Sequence, residues 1–218
     1  MPEASAKRIS PSTPASELFT FASMILTLPD RTSEVDALIV VRGLGQEWTL
    51  QYAVHDHNKY GNRHLLIASA NSRERTYTNI GVKELIKAPY NLILPGRVLL
   101  NEHMEHTRDQ AEWITKQVQK AGIESAALYA PAYHMARAYG TVLKCLLENG
   151  LSIPLLPRPV PIPPSRLIPE NGQTGWEMAH AEAERIPKYQ RGGHVVTLQE
   201  LQTHINWMWQ QPLMRFHY

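Results

Sequence analysis

A single cysteine, Cys145, is all the thiol chemistry in this 218-residue chain, so no disulfide can form within it. That fits a reducing compartment and a fold held by its core alone. An excess of one charge is also lacking. The 22 Lys and Arg nearly balance 20 Asp and Glu, leaving +2 with the ten histidines neutral. No basic footprint exists on this count, and no nucleic-acid partner is expected. Long apolar runs are missing too. The stretch from Leu18 to Leu28 follows Glu17, is broken by Thr20, Ser23 and Thr27, and stops at Pro29 without a small-residue cleavage site. A spanning helix needs about 20 consecutive apolar residues. The expectation is a cytoplasmic protein with neither signal peptide nor membrane span.

What is present is an ordinary globular composition, 43% hydrophobic and 19% charged, in a chain long enough to bury a core. Residues 1–31 read as a Pro- and Ser-rich tail followed by a helix, capped by Ser16 and carrying Leu18, Phe19, Ala22, Ile25 and Leu26 on one stripe. Residues 32–158 alternate apolar strand and helix. Ala37 to Val41 and His64 to Ala68 are continuous apolar runs, as in strands buried on both faces of a parallel sheet. Helices are predicted over 47–60, 74–87, from Thr107 with a Thr107–Gln110 capping box, and from Pro131 to Leu147. A weak strand falls at 91–94 or 97–100, a further one at 125–130, and the last at 151–156. This alternation predicts right-handed βαβ units and a Rossmann-like, doubly wound parallel sheet in three layers. Residues 159–218 form a C-terminal helical extension. Seven prolines between Pro154 and Pro169 predict a stiff strap without ladder hydrogen bonds, or alternatively a polyproline ligand. Helices over 175–189 and after Thr197, boxed by Glu200, close the chain.

In such sheets ligands bind beyond the carboxyl ends of the strands. The loops expected on that rim are 42–46, 69–73, 100–108 and 130–137. Arg42-Gly43-Leu44-Gly45 is either an ordinary tight turn or a loop that brings backbone N–H groups to a ligand. His134 and Arg137 lie one helical turn apart, where both can face an anion. The plain alternative is that His134 caps the helix and Arg137 pairs with a surface carboxylate. Glu102, Glu105 and Asp109 cluster with His103 and His106. They suit general acid–base work, divalent-metal binding, or simply a solvated loop, and no metal site is assigned. His55 and His57 fall on different faces of a helix. Glu182, Glu184 and Arg185 read as a solvated face, Trp176, Trp207 and Trp209 as core or interface anchors, and 191–194 as a turn able to fold over the rim.

The segment Tyr129-Ala-Pro-Ala-Tyr133-His134-Met135-Ala136-Arg137-Ala138, the Glu102–Ala111 loop and helix start, the Asp36–Gly43 strand and turn and the Leu65–Asn71 strand together resemble the YdcF/SanA/ElyC-like family over residues 35–157. The resemblance implies a Rossmann-like domain associated with S-adenosylmethionine or nucleotide-like ligands. Several motif positions depart from the family. Its Ser-Gly-Gly is Ser69-Ala70-Asn71, the Ser and Asn before its Thr are Met104 and His106, its Glu-Asn is Asp109-Gln110, and its helix-opening Arg is Thr49. A changed ligand or a lost activity follows from such departures.

The sequence therefore predicts a binding site for a small anionic or nucleoside-type metabolite, S-adenosylmethionine first among them, of transferase or hydrolase type. Arg42, Gly43, Ser69, Asn71, Thr107, His134 and Arg137 are the expected binding residues. Glu102, Asp109 and His134 are expected to carry proton transfer. The alternative is a non-catalytic ligand sensor or interaction protein that uses the strap and the tryptophan-bearing tail.

Overall fold

The apolar runs become the strands of one sheet. The computed structural model describes residues 14–43, 46–62, 64–69, 80–101, 104, 106–169 and 171–215. Within it β1 (Ala37–Val41), β2 (His64–Ala68), β3 (Val98–Asn101), β4 (Ala126–Pro131) and β5 (Leu155–Val160) are all parallel, in the order β3-β2-β1-β4-β5. Every residue of β1 and β4 is buried, as continuous apolar strands covered on both faces must be. The strand order reverses between β1 and β4. Right-handed crossovers then set α2 (Glu47–Tyr60) and α3 (Val82–Leu85) on one face and α4 (Thr107–Ala121) and α5 (Met135–Glu148) on the other. This is the predicted three-layer α/β fold of Rossmann-like type.

The last strand differs from expectation. It lies at Leu155–Val160 rather than 151–156, inside the stretch assigned to the strap. Its prolines explain how. Pro154 and Val160 turn their carbonyls to β4, accepting from Ala126 N–H at 2.9 Å and Ala132 N–H at 3.0 Å. The odd-numbered positions face away, so Pro157 and Pro159 lack an N–H only on the open edge. The outward carbonyl of Leu155 is taken by the Tyr139 hydroxyl at 2.9 Å. Proline here selects an edge strand and does not prevent one.

Other boundaries also move. α1 (Pro14–Leu26) begins ahead of Ser16 and buries Phe21 and Ile25, while Phe19 and Leu26 face outward. The described part of the helix predicted over 74–87 is the single turn α3. α5 starts at Met135 because Pro131 still pairs with Val160 in the sheet.

α6 (Gly175–Arg191) and α7 (Leu198–Met208) pack with α1 on the outer side of α5. Both open on capping boxes, the predicted Thr197–Glu200 and an unpredicted Thr174–Glu177. Approach to α5 is close at Gly140. A Cβ there would lie 2.7 Å from Val195 Cγ1 and 2.9 Å from Phe21 Cζ. This packing brings the N-terminal half of α6 over the carboxyl ends of β1 and β4. Among the described residues no helix is long and apolar enough to cross a membrane.

Candidate functional site

A cleft of about 200 Å³ opens where the strand order reverses. Such a switch point leaves a crevice because the helices after β1 and β4 leave on opposite faces. Arg42, Gly43 and Gln46 line it from the β1 side, and Tyr133, His134 and Arg137 from the β4 side. The start of α4 supplies His106, Thr107 and Gln110, and α6 roofs it with Met178, Glu182 and Arg185.

Gln110 is not the capping residue that the sequence suggests. The box at α4 lies one residue earlier: His106 Nδ1 accepts from Asp109 N–H at 3.3 Å, and Asp109 Oδ2 accepts from His106 N–H at 3.2 Å. Gln110 is buried instead. Its Nε2 donates to the carbonyls of Arg42 at 2.9 Å and Ala68 at 3.0 Å, tying the ends of β1 and β2 to α4. An amide with two donors can serve two strand-end carbonyls at once. Asp109, expected to move protons, is occupied in the cap and is not among the described residues lining the cleft.

The Gly43 N–H, expected to meet a ligand, donates to Gln46 Oε1 at 2.9 Å, and Gln46 Nε2 donates to the Tyr133 hydroxyl at 3.1 Å. Gln46 thus joins the two sides of the crevice. Ser69 lies behind the cleft, its hydroxyl accepting from Arg42 Nε at 3.3 Å. Asn71, Glu102, His103 and Glu105 lie outside the described residues.

Arg137 reaches the cleft already paired. Its guanidinium grips Glu182 with two hydrogen bonds, Nε to Oε2 and Nη2 to Oε1, the latter 3.0 Å. Its Nη1 donates to Thr107 Oγ1 at 3.1 Å, and its plane lies 5.5 Å from the Tyr189 ring centre. Glu182 also accepts from Arg185 at 2.8 Å and faces His134 Nδ1 at 3.4 Å. Read from sequence as part of a solvated face, Glu182 is only 3% exposed. The signal was present. Glu182 stands four residues after Met178 and four before Ile186, in the middle of the buried stripe of α6. Burial pushes its pKa up, but His134 and Arg137 outweigh that and hold it far below the carboxylate range. Burial and the Arg137 charge lower the pKa of His134, against the pull of Glu182. His134 occupies the N-cap position of α5, but its side chain makes no capping bond.

Arg42 is placed differently. It is 6% exposed, and burial lowers its pKa, with Glu47 acting only through space. A guanidinium stays charged even so. Among the described residues its one hydrogen bond is Nε to Ser69, and no carboxylate pairs with it. A buried cation without a directly paired carboxylate, on the wall of a cleft, is costly unless something anionic completes it. No protein-family model and no curated protein matches the chain.

The described lining residues include the guanidiniums of Arg42, Arg137 and Arg185 and one carboxylate, Glu182, before either histidine is counted. The formal charge of these described residues sums to a positive value. Among the described residues no group of three or more His, Cys, Asp or Glu is arranged to hold a metal ion. His57 is fully buried and His55 exposed, so that pair falls on two faces of α2. Of the tail tryptophans, Trp176 is exposed and Trp207 is partly buried against the core. His194, from the turn after α6, lines a second cavity of about 160 Å³ with Thr107, Arg137 and Tyr189.

Proposed function

We propose that the chain binds a small anionic metabolite in the switch-point cleft, with the carboxylate or phosphate of the ligand on Arg42. The observation that carries this reading is a nearly buried guanidinium on the cleft wall with no directly ion-paired carboxylate among the described residues. The positive balance of the described lining residues supports it, and so does the N-terminal end of α4, which adds partial positive charge beside Thr107. Arg137 serves the fold: it holds α6 over the cleft through Glu182. A nucleoside-type ligand such as S-adenosylmethionine, which the YdcF-like resemblance implies, belongs within this reading through its carboxylate.

Calorimetry with inorganic phosphate, pyrophosphate, S-adenosylmethionine and S-adenosylhomocysteine tests the proposal. At least one should bind, and Arg42→Ala should weaken it roughly ten- to a hundredfold, since charge-assisted hydrogen bonds contribute about 1.5–3 kcal/mol. Unchanged affinity in Arg42→Ala would reject the assignment. Binding of phosphate but of neither nucleoside would keep the anion and discard the nucleoside.

A non-catalytic sensor or interaction protein is the second reading. It is favoured by Trp176 and Leu167, 70% and 62% exposed, next to the bridge that joins Leu167 to Thr174.

A further inference from the structure

Anion binding at Arg42 leaves one arrangement in the cleft unused, the contact between His134 and Glu182. Glu182 is ionised and fully engaged: both oxygens accept from Arg137, Oε1 also from Arg185, and Oε2 faces His134 Nδ1. An ionised carboxylate has no proton to give. The hydrogen in this contact therefore sits on Nδ1, and in a neutral imidazole the lone pair is then on Nε2. His134 lines the cleft, and Nε2 makes no hydrogen bond among the described residues. The ring cannot readily turn over. Glu182 is fixed by two arginines, and His134 itself is 8% exposed.

We infer that His134 is the proton acceptor of the cleft, its Nε2 taking a proton from a hydroxyl or water held beside an anion on Arg42, and that Glu182 is the positioning residue that maintains the accepting tautomer. In this step the O–H bond breaks, its electron pair stays on oxygen, and the proton joins Nε2. The imidazolium so formed lies against the Glu182 carboxylate, which offsets the opposing charges of Arg137 and Arg185. The ligand class this suits carries a carboxylate or phosphate at one end and a hydroxyl, or an ester open to water, at the other. The choice of ligand rests on the anion reading above; the tautomer does not.

Two measurements on the full-length ¹⁵N-labelled protein test the inference. Long-range ¹H–¹⁵N spectra report which nitrogen of His134 carries the hydrogen. Diethylpyrocarbonate labelling, mapped by peptide mass, reports an accessible, unprotonated Nε2. Native His134 should be in the Nδ1–H form, should label, and should label several-fold more slowly with inorganic phosphate in the cleft. In Glu182→Gln the carboxamide can donate to Nδ1, so the majority Nδ1–H form should be lost and labelling should fall. Glu182→Asp should restore both. A purely structural Glu182 would change stability in these variants without moving the tautomer. An Nε2–H ring in the native protein, or an undisturbed Nδ1–H ring in folded Glu182→Gln, overturns the inference. Should Glu182→Gln fail to fold, the native tautomer and the Asp variant decide. Phosphate binding with an Nε2–H ring defeats the dyad and leaves the anion reading standing. The inferred tautomer without any protection or binding by phosphate does the reverse.

Discussion

Arg137→Ala separates a surface cation from a buried one. Were Arg137 on an open rim, truncation would change stability by no more than about 0.5 kcal/mol. In the structure it removes two hydrogen bonds from a carboxylate that is 3% exposed. Removing one partner of a buried ion pair costs about 3–5 kcal/mol, because the remaining charge is left without compensation. Arg185 still reaches Glu182 at 2.8 Å, but its side chain is 39% exposed and its share is screened. The lower end of that range applies, about 3 kcal/mol. For a domain of this size that is a fall in Tm of about 6–12 °C. Urea and thermal unfolding at pH 7 measure it. The sign with pH follows from Glu182. In the native protein its folded pKa is depressed, so its contribution is complete above the ordinary value of 4.5 and declines as pH falls below that. In Arg137→Ala less charge opposes the effect of burial, so the Glu182 pKa rises and the deficit should shrink on acidification. A loss under 1 kcal/mol at pH 7, independent of pH, would refute the reasoning.

Gly140→Ala should destabilise by about 1–3 kcal/mol, as overpacking does, despite the better helix propensity of alanine. The new methyl would meet Val195 and Phe21, both 1% exposed, and chemical denaturation reads the cost. His204, 3% exposed and with no hydrogen-bond partner for Nε2 among the described residues, has its pKa lowered by burial from 6.5 to about 4. A depressed histidine makes the unfolded state the better proton binder, so stability should drop by about 3 kcal/mol as pH falls from 6.5 to 4. His57 and His134 act in the same direction. His204→Leu should flatten that part of the pH profile of unfolding; an unchanged slope would show that His204 is not its source.

How much of this was legible before the fold was known depended on the range of the interaction. Local chemistry was readable. Ala37–Val41 and His64–Ala68 are apolar throughout because both faces of a parallel strand are covered, and the Thr197–Glu200 box closes over three residues. The rim was readable as well, since strand–helix alternation fixes which loops lie at the carboxyl edge, and Arg42, Thr107, His134 and Arg137 all meet in the cleft. Which of these residues is free to hold a ligand was not. Arg137 and Glu182 are 45 positions apart, and nothing in either helix alone says that one will reach the other. Periodicity put Glu182 on the buried stripe of α6, but not what that stripe would meet. Gln110 likewise looked like a cap until two strand ends, brought beside it by the sheet, required its donors. Local sequence decides backbone conformation because its interactions span a few residues; the pairing of charges across the cleft waits for packing to bring distant segments together and remove the water between them.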